Sequence, residues 1–287
     1  MKNHFRFHGY AIGVAGRIDK PSPEVLEVQA ATALPLIGGR ASARSANFNH
    51  KGIIKFDSAY SEVTGADCRD ENCEGPPTSH ATHLRSVVEG LDILSIVTAD
   101  RVVANLVSTN KANSGDDSSV RILGTRFENL KIAGIPVEVK LATDLLDKFD
   151  THGALEAAYL SNATDDEKAI RGLIDRPELQ DALKTAAQHF LHCFHFYKSK
   201  DALPASKRGT TYTSLVKSLE PAHSGLDKIG HVVHVPGFGT VRLGEVHINA
   251  KTRLISMVQV HLDCPHKGVL MAAEAGDGGL IGPGDGF

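Results

Sequence analysis

The alternation of apolar and polar residues with a period of two, cut at short intervals by glycine and proline, constrains this chain more than any other feature. Val137-Glu138-Val139-Lys140-Leu141 shows it in its simplest form. Successive side chains of a strand point to opposite faces, so such a run buries one face and wets the other. A helix would need apolar residues every three to four positions instead. The same pattern, rich in β-branched residues, runs through residues 82–141, and Ala133-Gly134 sits where a hairpin turn is expected. Residues 9–18 predict a strand ended by Pro21 and Pro23, and residues 25–34 predict a second, closed by Pro35 and Gly38-Gly39. Residues 40–64 mix small, basic and apolar side chains and support a helix only weakly. Gly75-Pro76-Pro77 marks a loop over residues 66–78. Strand signals return at residues 212–219, 231–235, 240–248 and 254–262.

Between these regions the period changes. Thr164 and Glu167 have the spacing of a capping box, in which each side chain bonds the other's backbone N–H. Leu179, Ala182, Leu183, Ala186, Ala187 and Phe190 recur at helical spacing. After Gly268 come six glycines and little apolar content, which reads as an irregular tail. The expected fold is therefore mainly β, a sandwich or barrel-like sheet structure with a helical insertion. Residues 1–142 form a β region, 143–200 the helical insertion, 201–266 a β region completing the same domain, and 267–287 a Gly-rich tail.

Net charge narrows the partners. At −3 over 287 residues it provides no field for nucleic acid. No run approaches the ~20 apolar residues of a membrane-spanning helix. Residues 1–8 lack an uninterrupted apolar stretch, so no secretory leader is expected and the cytoplasm is the default compartment, unless a leader was removed. Cys68 and Cys73 would form either a local disulfide or two free thiols; their spacing is not that of a zinc knuckle.

A set of glycine and turn motifs carries a resemblance. Gly9-Tyr10-Ala11, Ala33-Leu34-Pro35 with Gly38-Gly39, and Val97-Thr98-Ala99-Asp100 come first. Gly124-Thr125-Arg126-Phe127-Glu128-Asn129-Leu130-Lys131-Ile132 with Gly134 follows, and Val235-Pro236-Gly237-Phe238-Gly239-Thr240-Val241-Arg242-Leu243-Gly244-Glu245 closes the series. In these the chain resembles a group of bacterial β-rich proteins that includes the choice-of-anchor type. The resemblance implies a β-rich fold and export, and it brings no activity or functional residue with it.

The residues with chemistry to offer concentrate near the C-terminus. His231, Glu245, His247, His261 and Asp263 lie on expected strands, where residues two apart share a face. Glu245 and His247 then point the same way, as do His261 and Asp263, whereas His231 and His234 do not. Such a His and carboxylate set from adjacent strands is the donor chemistry of a divalent metal site. Gly230 and Pro236 partly echo a cupin pattern, but Arg242 falls near where its ligand histidine is expected. His189, His192 and His195 beside Cys193, the pair His80 and His83, and the acidic run Asp144, Asp147 and Asp150 read more simply as packing edges or solvated faces. No Gly-x-Ser-x-Gly elbow or Walker loop occurs.

The leading expectation is a non-catalytic β-rich protein for binding or assembly, with an unknown ligand or protein partner. Exposed sheet edges would also allow a homo-oligomer. The alternative is a metal-dependent enzyme with its His/carboxylate site on the C-terminal strands.

Overall fold

The period-two runs become long antiparallel strands in the computed structural model, which describes residues 5–68, 77–111, 118–143, 151, 154, 210–220, 226–249, 252–278 and 280–281. In chain order the strands are β1 (Phe5–Arg6), β2 (Gly9–Lys20), β3 (Glu24–Val25), β4 (Thr32–Ala33), β5 (Gly39–His50), β6 (Ile54–Cys68) and β7 (Ser79–Ile93). There follow β8 (Val97–Lys111), β9 (Ser119–Arg121), β10 (Arg126–Glu128), β11 (Lys131–Ile132), β12 (Ile135–Pro136) and β13 (Glu138–Leu141). The series closes with β14 (Thr210–Ser214), β15 (Val216–Glu220), β16 (Asp227–Ile229), β17 (Val232–Val235), β18 (Gly239–Asn249), β19 (Arg253–Asp263), β20 (Lys267–Asp277) and β21 (Leu280–Ile281).

Two large sheets result. The front sheet has the order β16-β17-β18-β19-β20-β2-β3, with β14 beside β18 and β4 beside β2. The back sheet has the order β12-β11-β8-β7-β6-β5, with β9 and β10 beside β8. Short pairs β1–β21 and β13–β15 stand apart. Because β2 lies directly against β20, strands from the two ends of the described chain belong to one sheet. The sheets face each other: β2 packs on β6 and β7, β20 on β7 and β8, and β19 on β8.

The shared interior holds Ala11, Val14, Ile255, Val258 and Leu270 from the front sheet, and Leu84, Val88, Leu91 and Leu106 from the back. Each fully buried aliphatic side chain contributes about 1.5–3 kcal/mol. Polar ties cross the gap as well: Ser86 donates to the Ile12 carbonyl at 2.7 Å, and buried Ser108 donates to buried Asp277.

Several expectations need correction. The Gly-rich tail is in large part β20, a central strand of the front sheet. Its residues are small where neighbouring strands come close. A Cβ on Gly268 would lie 2.1 Å from the Arg17 carbonyl oxygen, and one on Gly276 would meet the Tyr10 ring at 2.6 Å. Residues 40–64, read as weakly helical, belong to β5 and β6. The continuous strand expected over 25–34 is only two short pairings, β3 and β4. The helical insertion lies outside the described residues apart from Thr143, Thr151 and Ala154, as do the His189 cluster and the acidic run. The turn at Ala133-Gly134 forms as expected, both residues having positive φ (51° and 76°).

One feature of both sheets positions the site. The inside-outside alternation slips by one residue along a row that crosses several strands in register. In the front sheet the row is Gly244, Met257, Ala273 and Gly13, all missing from otherwise regular ladders. Gly244 and Ala273, on alternate strands, have φ of 59° and 56°. In the back sheet the row is Asp100, Gly90, Asp57 and Asn47. Gly90 and Asn47, again on alternate strands, have φ of 65° and 55°. A left-handed residue inside a strand acts as a bulge, bending the strand and re-aiming the side chains beyond it.

Candidate functional site

The slip in the front sheet decides which side chains meet on its outer face. Without it, Arg242 and Glu245, three apart on β18, would point to opposite faces. With Gly244 left-handed between them, both face outward, and Arg242 Nη1 donates to Glu245 Oε1 at 3.3 Å. His231, buried in the turn before β17, donates from Nε2 to the same oxygen at 3.1 Å. On β20 the slip at Ala273 likewise turns Glu274 outward. Its Oε1 accepts a hydrogen bond from the Tyr10 hydroxyl at 3.1 Å. The Tyr10 ring lies over Gly276, where any Cβ would collide with it.

These groups border an open trough of about 470 Å³. Its floor is β19, through Leu254, Ser256, Gln259 and His261. One wall is β18, with Arg242, Glu245 and His247; the other is β20, with Met271 and Glu274. Two donors are left over in it. Ser256 Oγ and Arg242 Nε are buried and have no hydrogen-bond partner among the described residues. A buried polar group left unpaired costs about 1–3 kcal/mol.

The two glutamates are driven in opposite directions. Burial pushes the Glu245 carboxyl up, but the His231 hydrogen bond and the Arg242 charge outweigh it and hold it below the usual carboxylate range. Glu274 has no cation beside it. Burial raises its pKa, and the Tyr10 hydrogen bond only partly offsets this. The Tyr10 hydroxyl is itself pushed up by burial and by the neighbouring Glu274 charge. Burial lowers the pKa of His247, which favours its neutral form.

Of the five residues expected to bind metal, Glu245, His247 and His261 line the trough and His231 braces Glu245. Asp263 does not join them: it is exposed and paired with Lys267 at 2.9 Å, which lowers its pKa. Nor do the histidines converge. His247 sits opposite Leu254, and His261 lies seven residues further along β19, ~23 Å away at ~3.3 Å per residue. No ion with ligand bonds of ~2 Å can take both. Among the described residues no group of three or more His, Cys, Asp or Glu is placed to hold a metal. His80 and His83 also separate. His80 is buried, stacked on Phe5 and bonded to Asp67 at 2.7 Å, while His83 faces out toward Asn105. Among the described residues Cys68 and Cys264 form no disulfide; Cys73 and Cys193 lie outside them.

Sequence reasoning missed Arg242, Ser256 and Glu274. The one local signal was Gly244, a glycine inside an otherwise regular strand.

A family model described as "Domain of unknown function (DUF8256)" matches residues 5–249. The chain belongs to that family. The matched stretch takes in β18 with Arg242 and Glu245 and stops before β19 and β20, so the trough is built partly from strands beyond it. No curated protein and no solved structure matches the chain. Among the described residues no helix is long and apolar enough to cross a membrane.

Proposed function

We propose that this chain is a binding protein whose ligand, a small polar molecule, lies in the trough on the outer face of the front sheet. The observation that carries this reading is the pair of unpaired buried donors, Ser256 Oγ and Arg242 Nε, in the lining of an open cavity. A ligand accepting from both would offset the cost of having buried them. Leu254 and Met271 add apolar surface beside the polar groups, the mixture usual in small-molecule sites.

Ligand-observed NMR with a library of polar fragments tests it, run on the parent and on the Arg242→Leu/Ser256→Val double variant. Fragments should bind the parent and lose binding in a double variant that keeps its thermal transition. Fragments that bind both proteins equally, or a library with no binder at all, would overturn the reading. The same titration with zinc or manganese separates this site from the metal-dependent alternative, in which a stoichiometric ion would be retained.

A further inference from the structure

Glu245 and Glu274 flank the trough at the same level. Each is a cross-strand partner of Ser256, Glu245 from β18 and Glu274 from β20. Two ladder steps of ~4.5–5.5 Å put their Cα atoms ~10 Å apart on one face of the sheet. Among the described residues, the hydrogen bonds to both carboxyls end on Oε1, which turns Oε2 of each toward an occupant. Ser256, nine-tenths buried and unpaired, lies between them on the floor. A linear molecule lying along β19 would pass over Ser256 with one carboxyl on each side.

We propose that the trough is a glycoside-hydrolysing site in which Glu274 is the general acid and Glu245 the general base. This rests on the trough being the ligand site. Cleavage of an acetal needs one carboxylic acid and one carboxylate flanking the bond, without metal or cofactor. Inverting pairs hold their carboxyl groups ~6.5–9.5 Å apart, against ~5 Å for pairs that form a covalent intermediate. The Tyr10 bond on the β2 side and the His231 bond on the β17 side draw the two carboxyls apart, toward the wider arrangement that admits a water. The environments agree: the carboxyl without a cation is biased to carry the proton, and the one held by His231 and Arg242 to lack it. Arg242, Ser256 and Gln259 suit the hydroxyl edges of a sugar, and Met271 suits its C–H faces.

The step balances with one water. Glu274 gives its proton to the glycosidic oxygen as the bond from that oxygen to the anomeric carbon breaks. A water on the Glu245 side forms the new bond to the anomeric carbon and loses a proton to Glu245. The products are an alcohol and a hemiacetal of inverted configuration. Exchange with solvent returns the proton from Glu245 and restores it to Glu274. Tyr10 and His231 are positioning residues.

The full chain is incubated with cello-, xylo-, malto- and chitotetraose. Cleavage is followed by mass spectrometry, the first-formed anomer by proton NMR, and binding by ligand-observed NMR. At least one tetraose should be cleaved with inversion. The rate should fall ~10²–10⁴-fold in Glu274→Gln and in Glu245→Gln. The parent's kcat/KM should fall on the alkaline side as Glu274 loses its proton and on the acid side as Glu245 gains one. Binding of a tetraose without cleavage would overturn the hydrolysis and leave the binding reading standing. Neither binding nor cleavage would overturn both. Cleavage with retained configuration, or at an undiminished rate in a folded Glu274→Gln variant, would overturn the assigned roles.

Discussion

The row of Gly244, Met257, Ala273 and Gly13 in the front sheet and the row of Asp100, Gly90, Asp57 and Asn47 in the back sheet interrupt their strands in the same way. The first has an open trough beside it. In the back sheet, side chains of the row fill the space themselves. The Asp57 carboxyl lies over Gly90, so close that a Cβ there would be 2.2 Å from Oδ2. Asp100 accepts from Asn129 at 2.6 Å. Around them Arg44 and Arg85 sit over the Tyr60 ring, Lys55 pairs with Asp92, and Arg101 pairs with Glu89. In the front sheet three of the four row residues are glycine or alanine, and the glutamates beside them stand two strands apart. The same bend thus yields a closed surface where the row is polar and an open site where it is small.

The comparison presumes two sheets on one core. Leu84→Ala should cost about 2–5 kcal/mol and lower a single thermal transition seen equally by circular dichroism and calorimetry. Two separate transitions would mean the sheets are independent, and the comparison would lose its basis. Next come the row glycines. Gly90→Ala should cost about 2–3 kcal/mol, because it adds overpacking against Asp57 to left-handed strain. Gly244→Ala should cost only about 1 kcal/mol, since its nearest neighbour would be 3.5 Å away. Denaturant titration of both measures the gap, which Asp57→Ala should close; a gap that survives would show that filling is not the difference between the rows.

A pH effect separates the two glutamates. Glu274, with its folded pKa raised, binds more protons folded than unfolded, so its contribution falls as pH rises from about 4.5 through the raised value. Glu274→Gln should therefore gain stability relative to the parent as pH rises over that window. Glu245 behaves oppositely: its lowered pKa gives stability above pH 4.5 that is lost as pH falls through the folded value. Glu245→Gln should lose relative stability on the alkaline side, and parallel melting curves from pH 3 to 8 would read both signs. The smallest effect belongs to Ala273→Gly. Relief of left-handed strain, about 1–2 kcal/mol, less the entropy glycine loses on folding, about 0.5–1 kcal/mol, leaves a gain of about 0–1.5 kcal/mol.

Much of the sheet content was legible because alternation is a local signal. β2, β7, β8, β17, β18 and β19 follow the runs that announce them, and Glu245 and His247 do share a face. β20 was not legible, because the glycines in it and after it read as a loop; close approach to Arg17 and Tyr10, both distant in sequence, makes it a strand. For that reason Glu274 went unseen.

By itself, then, the order of residues determined a mainly β chain with polar groups gathered toward its C-terminal strands, since each strand's pattern depends only on its near neighbours. Which of those groups meet was decided by tertiary structure. Gly244 and Ala273 acquire their left-handed conformations in a ladder of four strands, and β20 finds its place only between β19 and β2. A one-residue slip then exchanges the inner face for the outer one, which is why Arg242 shares the outer face with Glu245, and Glu274 with Met271.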